Sequence, residues 1–281
     1  MRILVSGVAG QLGHDVIEEL EKNSIEYIAC DKEEFDLTDK QATEDFIIKN
    51  KPDGVIHCAA YTAVDKAEDE EEICRKINTD ASESIALACE KIGAKMIYVS
   101  TDYVFGGDGE TPYEVNDAKN PQNVYGQTKL DGENKVLGCC SKSFVVRTSW
   151  VYGINGNNFV KTMRRLAETR NELSVVCDQI GSPTYTRDLA KLLVEMIQTE
   201  KYGVYHASNE GFISWAEFAE MIMKKSGLDV KINHIPTSEY PVKAKRPLNS
   251  RLSKKSLIDN GFSLLPDQEN ALDRYIEELN K

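Results

Sequence analysis

The sequence has 281 residues, of which 28% are charged and 41% belong to the hydrophobic set, proportions typical of a globular protein. Its formal net charge of −12 disfavours a general nucleic-acid binder or a protein that docks on anionic membranes. The N-terminal MRILVSG enters an apolar strand directly, and no apolar run approaches the ~18 residues of a membrane helix. We therefore expect a cytoplasmic protein with neither a nucleic-acid nor a membrane partner.

The seven cysteines and four histidines do not show the spacing of a metal site. The absence of a C-x-x-C pair favours reduced thiols over a disulfide framework or a zinc site. The histidines, at positions 14, 57, 206 and 234, are isolated from one another in the sequence. We therefore expect no bound metal.

Short apolar strands alternate with amphipathic helical stretches over the first 150 residues or so. This alternation is typical of βαβ units, and the apolar strands predict a parallel sheet that is covered on both faces. The predicted strands are 2–6, 26–30, 54–60, 94–100 and 143–150, and the predicted helices are 11–22, 39–50, 76–92 and one that begins near Tyr125.

The alternation becomes looser in the second half of the chain. Helices are predicted over 157–170, 187–199, 214–227 and 267–279, with strand-like segments at 174–185 and 203–210. Ser214 and Glu217 form a capping-box pattern, Gly227 is a stop signal, and Asp267 is a cap for the last helix. The acidic run EDEEE (68–72) reads as an exposed helical face rather than a metal site.

A glycine-rich turn follows the first strand. GVAGQLG places Gly7, Gly10 and Gly13 where the chain must turn tightly and where backbone can approach a pyrophosphate at a helix N-terminus. Asp31 lies 18 residues beyond Gly13, at the end of the second strand, where an acid is expected to meet the adenosine ribose. This arrangement predicts a dinucleotide site, to which Gln11 and Leu12 of the same turn also belong.

Further residues are assigned to the same cofactor. The acid at position 31 favours NAD(H), whereas the adjacent Lys32 leaves NADP(H) open. In FDLTD (35–39), Asp36 and Leu37 are predicted to contact the edge and the face of the adenine ring, respectively, although Asp36 could instead cap the next helix. CAAYT (58–62) ends the third strand in small residues suited to lie against a cofactor. From these strand ends we assign Ala59, Ala60, Tyr61 and Val99 to the cofactor site.

The chain is thus predicted to be an α/β protein, a Rossmann-type doubly wound parallel sheet with a smaller C-terminal α/β substrate lobe. Residues 1–150 are expected to form the dinucleotide-binding domain. Residues 151–281 are expected to form mainly the substrate-binding lobe, with some segments returning to the sheet.

Candidate catalytic residues lie beyond the fourth strand. YVSTDYVFGG puts Thr101 at a strand end, where open α/β sheets bind ligands. NVYGQTKLDGENKVL puts Tyr125 and Lys129 four positions apart on a helix, about 5–6 Å from each other. A phenol beside a cation can donate a proton to a developing alkoxide. The Y-x-x-x-K pattern alone is common by chance, but its combination with the glycine turn and the strand-end hydroxyl is not.

Several segments together resemble the extended short-chain dehydrogenases/reductases, and within these the dTDP-4-dehydrorhamnose reductase family. They are GVAGQLG, AAYTAVDKAE, STDYVF, NVYGQTKLDGE, RTSWVYG, GNNFVKTM, DQIGSPT and RPLNSRLS, and they span essentially the whole chain. The resemblance implies reduction, by NADH or NADPH, of the C4 keto group of a dTDP-linked 4-keto-6-deoxyhexose. It also implies that Tyr125 is the proton donor, that Lys129 holds the nicotinamide ribose and lowers the tyrosine pKa, and that Thr101 binds the substrate oxygen.

The resemblance also suggests substrate contacts. Asp102 is followed by tyrosine rather than by the glutamate of related dehydratases, which favours plain reduction. Trp150 matches a substrate-contacting tryptophan, although a core or interface aromatic is the alternative. Asn158 is expected to cap its helix and to face the nucleotide. Arg246, in the basic segment PVKAKRPLNSRLSKK (241–255), is our choice for the substrate pyrophosphate, with a solvated loop as the alternative.

Two other functions remain open at this point. The chain could be a reductase or epimerase of another nucleotide sugar. It could also be a non-catalytic NADP-binding partner that resembles the regulatory subunit of methionine adenosyltransferase. The intact set of Thr101, Tyr125 and Lys129 favours an enzyme, because a binding partner has no chemical need for all three. The resemblance leaves a homodimer open.

Overall fold

The computed structural model describes residues 1–34 and 36–281; Phe35, the first residue of FDLTD, lies outside this part. The strands of the described residues are, in chain order, β1 (Arg2–Ser6), β2 (Glu26–Cys30), β3 (Gly54–His57), β4 (Lys95–Thr101), β5 (Ser143–Thr148), β6 (Val151–Tyr152), β7 (Glu172–Val176), β8 (Ile180–Gly181), β9 (Thr184–Tyr185), β10 (Gly203–His206), β11 (Ile213–Ser214) and β12 (Lys231–Ile235).

The helices connect these strands. They are α1 (Gln11–Lys22), α2 (Lys40–Asn50), α3 (Val64–Ala67), α4 (Glu71–Arg75), α5 (Ala81–Ile92), α6 (Val124–Cys139), α7 (Phe159–Ala167), α8 (Thr186–Ile197), α9 (Trp215–Ser226), α10 (Lys255–Asp259) and α11 (Gln268–Leu279). A π-helical turn, Lys76–Asp80, joins α4 to α5, and short 3-10 turns follow at Asp102–Val104 and Thr237–Glu239. Within residues 1–34 and 36–281, no helix has the length and apolar character needed to cross a membrane.

Six strands form one parallel sheet in the order β10-β5-β4-β3-β1-β2. The chain moves from β1 to β2 on one side and then returns to place β3 on the other side of β1. In open α/β sheets, ligands bind at the carboxyl ends of the strands beside such a reversal. The predicted doubly wound sheet is confirmed, and its reversal point lies between the glycine turn and CAAYT.

Helices cover both faces of this sheet. Ile3 and Val5 of β1 point into a cluster with Leu189 and Leu193 of α8, on the side covered by α1 and α8. Leu4, between them, points to the opposite side, where α2, α5 and α6 pack. This alternation follows from the pleat of a strand, in which successive side chains face opposite ways. The apolar character of β1 is thus explained by burial on both faces.

A second hydrophobic cluster lies in the later part of the chain. It is centred on aromatic residues from β6, β9, α9 and α11, including Tyr152, Tyr185, Phe218 and Tyr275. Two segments of the second half join the large sheet instead, since β10 pairs with β5 and α8 packs on α1.

The predicted helix caps are confirmed. Ser214 Oγ accepts from Glu217 N at 3.1 Å while Glu217 Oε2 accepts from Ser214 N at 2.8 Å, and Gly227 ends α9 with φ +67°. Asp267 caps α11 by accepting from the amides of residues 269 and 270. At α2 the cap is Asp39, which accepts from Ala42 N at 3.0 Å, so Asp36 does not serve there.

Several predicted boundaries differ from the structure. In the helix predicted over 76–92, residues 76–80 form the π-helical turn that follows α4, and α5 begins at Ala81. This turn packs tightly against α6, where a Cβ on Gly132 would lie 2.4 Å from Asn78 O. The acidic run is therefore divided between a turn and the start of α4. The strand predicted over 143–150 ends at Thr148 because Trp150 has a φ of +49°, which a strand cannot accommodate.

Candidate active site

A cavity of about 1250 Å³ opens along the carboxyl edge of the large sheet. It is lined by the glycine turn after β1, the segment after β3, the end of β4, the start of α6, and two tryptophans from the second half of the chain. It is larger than the ~300–1,000 Å³ of most small-ligand pockets. There is thus room for an extended ligand or for two ligands side by side.

The glycine turn brings three backbone segments close together. A Cβ on Gly7 would lie 2.7 Å from Ala59 N, and Gly7 has a φ of +74°. A Cβ on Gly13 would lie 2.2 Å from Gly7 O. The N-cap residue of helix α1 is Gly10, which has no side chain, so the first amides of α1 face the cavity without a side-chain acceptor from that position. These features fit the pyrophosphate of a dinucleotide.

Asp31 stabilises this turn in addition to lining the cavity. Its Oδ2 accepts from Ala9 N at 2.8 Å, and its Oδ1 accepts from Lys32 N at 2.8 Å. Asp36, by contrast, is exposed and accepts from both the amide and the hydroxyl of Thr38, which lowers its pKa. The two carboxylates therefore lie at the same end of the cavity but have different local roles.

The structure brings together along this cavity every residue that the sequence assigned to the cofactor. Thr101, Asp102 and Trp150 line the same cavity. The cofactor set is Gly7, Gly10, Gln11, Leu12, Gly13, Asp31, Asp36, Leu37, Ala59, Ala60, Tyr61, Val99, Tyr125 and Lys129.

Helix α6 is positioned by its cap and by a glycine. Asn123, two residues before Tyr125, caps the helix: its Oδ1 accepts from Gly126 N at 2.8 Å. A Cβ on Gly126 would lie 2.3 Å from Tyr103 O, so only glycine lets α6 approach the turn after β4 this closely. The Tyr125 ring consequently meets the Tyr103 ring edge to face, with centroids 5.5 Å apart.

The electrostatics of Tyr125 differ from the expectation. Burial raises the pKa of Tyr125 well above its usual value of 10, and a hydrogen bond with Thr101 opposes this rise only in part. The predicted lowering of this pKa by Lys129 is wrong for this structure, because the cost of burying a phenolate dominates the pKa of Tyr125. Tyr125 is therefore a neutral phenol at pH 7.

Lys129 is also strongly affected by burial. Its side chain is 2% exposed, and its Nζ lies 4.0 Å from the centroid of the Tyr98 ring. Burial lowers the pKa of Lys129 to about 7, although the carboxylate of Glu133 acts in the opposite direction. Small changes around this ammonium group would therefore change its charge near neutral pH.

Asp102 is a buried acid at the end of β4. It is 3% exposed, and burial raises its pKa to about 6. Its Oδ1 accepts from Thr101 Oγ1 at 3.0 Å, whereas its Oδ2 has no hydrogen-bond partner of regular geometry among the described residues. The Ser250 hydroxyl lies close enough to Asp102 to offset part of this rise in the Asp102 pKa. A buried oxygen without a partner in a cavity wall suits a hydroxyl of a ligand.

Trp150 and Trp215 form an aromatic wall. Their rings stack with centroids 3.7 Å apart and an interplanar angle of 13°. Trp150 adopts a φ of +49°, a conformation that costs an L-residue about 1–2 kcal/mol. Sequence reasoning missed Trp215, since the only signal was an aromatic residue directly after the Ser214 cap. It missed Tyr103 and Lys66 as lining residues as well.

Two predicted substrate contacts are not among the described residues that line the cavity. Asn158 caps α7, as predicted, by accepting from Lys161 N at 3.0 Å. Its amide group donates to Gln11 Oε1 at 3.0 Å, so it supports a cavity residue from behind. Arg246 forms an ion pair with Asp65 at 2.6 Å and donates to Tyr103 Oη at 3.3 Å. Arg246 is thus held beside the cavity by protein partners.

The doubly wound sheet, the glycine turn at its reversal point and the Tyr125–Lys129 helix are the features of the extended short-chain dehydrogenases/reductases. The family model described as RmlD substrate binding domain matches residues 1–281. The chain belongs to this family, that of the dTDP-4-dehydrorhamnose reductases.

Similar proteins match over the full length. The spore coat polysaccharide biosynthesis protein SpsK of Bacillus subtilis (strain 168) is 41% identical over 277 residues, which cover 99% of this chain and 97% of that protein. The crystal structure of a dTDP-4-dehydrorhamnose reductase from Clostridium acetobutylicum is 41% identical, with 100% of both chains covered and a TM-score of 0.98. The dTDP-4-dehydrorhamnose reductase of Bacillus anthracis, in complex with NADP, is 42% identical, with 99% of both chains covered and a TM-score of 0.96.

Proposed function

We propose that this protein is an NAD(P)H-dependent oxidoreductase that reduces the C4 keto group of dTDP-4-dehydro-L-rhamnose to give dTDP-L-rhamnose. The observation that carries the proposal is that Thr101, Tyr125 and Lys129 adjoin the glycine turn in the same cavity. The membership of the chain in the dTDP-4-dehydrorhamnose reductase family supports the assigned substrate. The NADP complex of the Bacillus anthracis relative supports the cofactor.

The cofactor is assigned to the end of the cavity near β1. The amides at the start of α1 would bind its pyrophosphate, and Asp31 would accept from an adenosine ribose hydroxyl. Lys129 would donate to the nicotinamide ribose from its ammonium group. When bound, the reduced nicotinamide supplies the hydride.

The proton is assigned to Tyr125. The Tyr125 phenol is protonated at neutral pH even at its usual pKa of about 10, so its Oη can donate a proton to the C4 oxygen as charge develops there. The Thr101 hydroxyl lies close enough to Tyr125 to act on its pKa and would orient the same oxygen. Reduction of a ketone consumes one proton, which Tyr125 would supply; burial keeps the phenol protonated but also makes it a weaker acid.

The remaining contacts are assigned to the substrate. Asp102 would accept from a sugar hydroxyl through its unpaired Oδ2, and Trp150 with Trp215 would provide an aromatic face. Arg246 would reach the pyrophosphate only after its pair with Asp65 opens, and Asn158 would act through Gln11. We keep residues 1–150 as the cofactor domain and 151–281 as mainly the substrate lobe. We also propose a homodimer and a cytoplasmic location.

The test compares turnover by the wild type and by Tyr125→Phe. Turnover is measured as the loss of NADPH absorbance with dTDP-4-dehydro-L-rhamnose as substrate. Loss of the general acid should reduce kcat by about 10²–10⁴-fold while NADPH still binds. Tyr240→Phe is the matched control, because Tyr240 is 53% exposed and lies outside the cavity lining. NADPH binding without turnover by the wild type would reject this substrate, in favour of another nucleotide sugar or a regulatory role.

A further inference from the structure

A buried ion pair lies one helical turn beyond Lys129. On α6, Tyr125, Lys129 and Glu133 follow one another at intervals of four residues and therefore share one helix face. Glu133 is 1% exposed and Arg147, on β5, is 2% exposed. Arg147 donates from Nε to Glu133 Oε1 at 2.8 Å and from Nη2 to Oε2 at 2.7 Å. The two side chains thus form a bidentate pair inside the protein.

The pair also connects the strand ends near the cavity. Ser100, the residue before Thr101, donates to Glu133 Oε1 from β4. The remaining guanidinium nitrogen, Nη1 of Arg147, donates to Val115 O at 2.9 Å and lies 3.3 Å from His206 Nε2. Each oxygen of the Glu133 carboxylate therefore has a donor, and the position of the carboxylate relative to Lys129 is fixed.

The other groups around Lys129 carry no negative charge. Burial raises the pKa of Cys58 to about 12 and also raises that of Cys74, so both thiols stay protonated. Burial lowers the pKa of His57 to about 3, so its imidazole is neutral. The ammonium group of Lys129 lies over the face of the Tyr98 ring, and burial raises the pKa of Tyr98. Among the described residues that act on the charge of Lys129, Glu133 is therefore the one anion at pH 7.

Stability alone is a weak explanation for this pair. Taking a carboxylate and a guanidinium out of water is costly, and well-packed apolar residues of similar volume are often as stable or more so. A buried carboxylate without its arginine would be more costly still. The arrangement is better explained by what the carboxylate does for the lysine in the cavity.

We propose that Glu133 is a positioning residue for the reaction: it favours the ammonium form of Lys129, and Arg147 holds Glu133 in place. Neither Glu133 nor Arg147 lines the cavity among the described residues, so both act through Lys129. The inference rests on the proposed function, in which Lys129 donates to the cofactor ribose. A neutral amine has fewer protons to donate and does not place a positive charge beside Tyr125.

The size of the effect follows from the helix geometry. The Cβ atoms of residues i and i+4 are about 5–6 Å apart, and in an effective dielectric of about 20 one unit charge at that distance moves a titration midpoint by roughly two pH units. Glu133→Gln keeps the shape of the side chain and removes the charge. We expect the titration midpoint of Lys129, about 7 in the wild type, to fall by this amount.

The experiment measures this midpoint directly in the purified protein without added nucleotide. The ε-carbon of Lys129 is followed by NMR against pH in lysine-labelled protein and is assigned by its loss in Lys129→Met. NADPH affinity, measured by fluorescence over the same pH range, is the second readout. At pH values above the midpoint, the affinity of Glu133→Gln should be lower by about tenfold for each pH unit by which the midpoint has fallen.

Two further variants separate this role from a merely structural one. Glu133→Gln/Arg147→Met removes both charges, so it should fold even if the single variant does not. It should still lower the Lys129 midpoint, but by less than Glu133→Gln, because a cation is removed together with the anion. Asp188→Asn is the matched control, because Asp188 accepts from Arg274 at 2.9 and 2.6 Å in a pair between α8 and α11. It should lower the melting temperature and leave the Lys129 midpoint unchanged.

The outcomes are distinct. A wild-type midpoint for Lys129 in the double variant overturns the inference, whatever its stability. A lowered midpoint in the double variant, with an unchanged one in Asp188→Asn, supports it. If the midpoint falls as expected but the wild type does not bind NADPH, the charge relation between Glu133 and Lys129 stands and the proposed function is rejected.

Discussion

Replacing Gly13 by alanine should damage the cofactor end of the cavity, although alanine is the better helix former. A Cβ at Gly13 would lie 2.2 Å from Gly7 O, which is 1.2 Å less than the 3.4 Å of ordinary contact. The carbonyl cannot simply move away, because it also accepts from Gly10 N at 3.0 Å within the same turn. Helix α1 must therefore shift relative to the glycine turn.

The magnitude can be worked from two opposing effects. Forcing an extra methyl group into a packed position costs about 1–3 kcal/mol. Replacing a glycine inside a helix by alanine gains about 0.5–1 kcal/mol. The net expectation is a loss of about 1–2 kcal/mol in the free energy of unfolding, with NADPH binding weakened by at least about tenfold as the amides of α1 move.

Gly138 provides the matched control. It lies in α6, is exposed, and a Cβ there would meet no atom within 4 Å. Gly138→Ala should therefore stabilise the protein by about 0.5–1 kcal/mol and leave NADPH affinity unchanged. Urea unfolding and NADPH fluorescence titration of both variants are the assays. If Gly13→Ala were as stable as Gly138→Ala and bound NADPH like the wild type, the proposed close approach of α1 to the turn would be refuted.

Three other substitutions test separate parts of the site. Trp215→Ala removes the ring stacked 3.7 Å from Trp150, so KM for the sugar nucleotide should rise about 2–10-fold while NADPH affinity stays constant; an unchanged KM would exclude the aromatic wall from substrate binding. Asp31→Ala removes a carboxylate that would bind a ribose hydroxyl and repel a 2′-phosphate, so NADH affinity should fall more than NADPH affinity, and equal losses would contradict this role. The pKa of buried His57 is about 3 in the folded protein and ~6.5 when unfolded, so its neutral form contributes stability above pH ~6.5 that is lost below it. Between pH 7.5 and pH 5.5 the wild type should therefore lose about 1.4 kcal/mol more stability than His57→Asn; equal losses in urea unfolding would contradict the burial of a neutral imidazole.

The sequence by itself determined the sheet, several helix caps, and the glycine-turn and catalytic parts of the cavity lining. Apolar strands separated by amphipathic helices have few other ways to bury both faces, so the parallel sheet follows from periodicity. The glycines and Asp31 could be placed because their function depends on backbone conformation and on spacing along one βαβ unit. Thr101, Tyr125 and Lys129 could be placed because the carboxyl ends of parallel strands meet at one edge.

Only the tertiary structure decided the ionisation of the site and its distant partners. Trp215 stacks on Trp150 from a helix 65 residues later in the chain, and no local pattern encodes that contact. Arg246 forms an ion pair with Asp65, so its position in a basic segment did not mean that its charge was available to a substrate pyrophosphate. The pKa of Tyr125 rises instead of falling because burial is a property of all the surrounding elements together. A helix spacing of four residues fixes which groups share a face, but the dielectric around them is set by the folded protein.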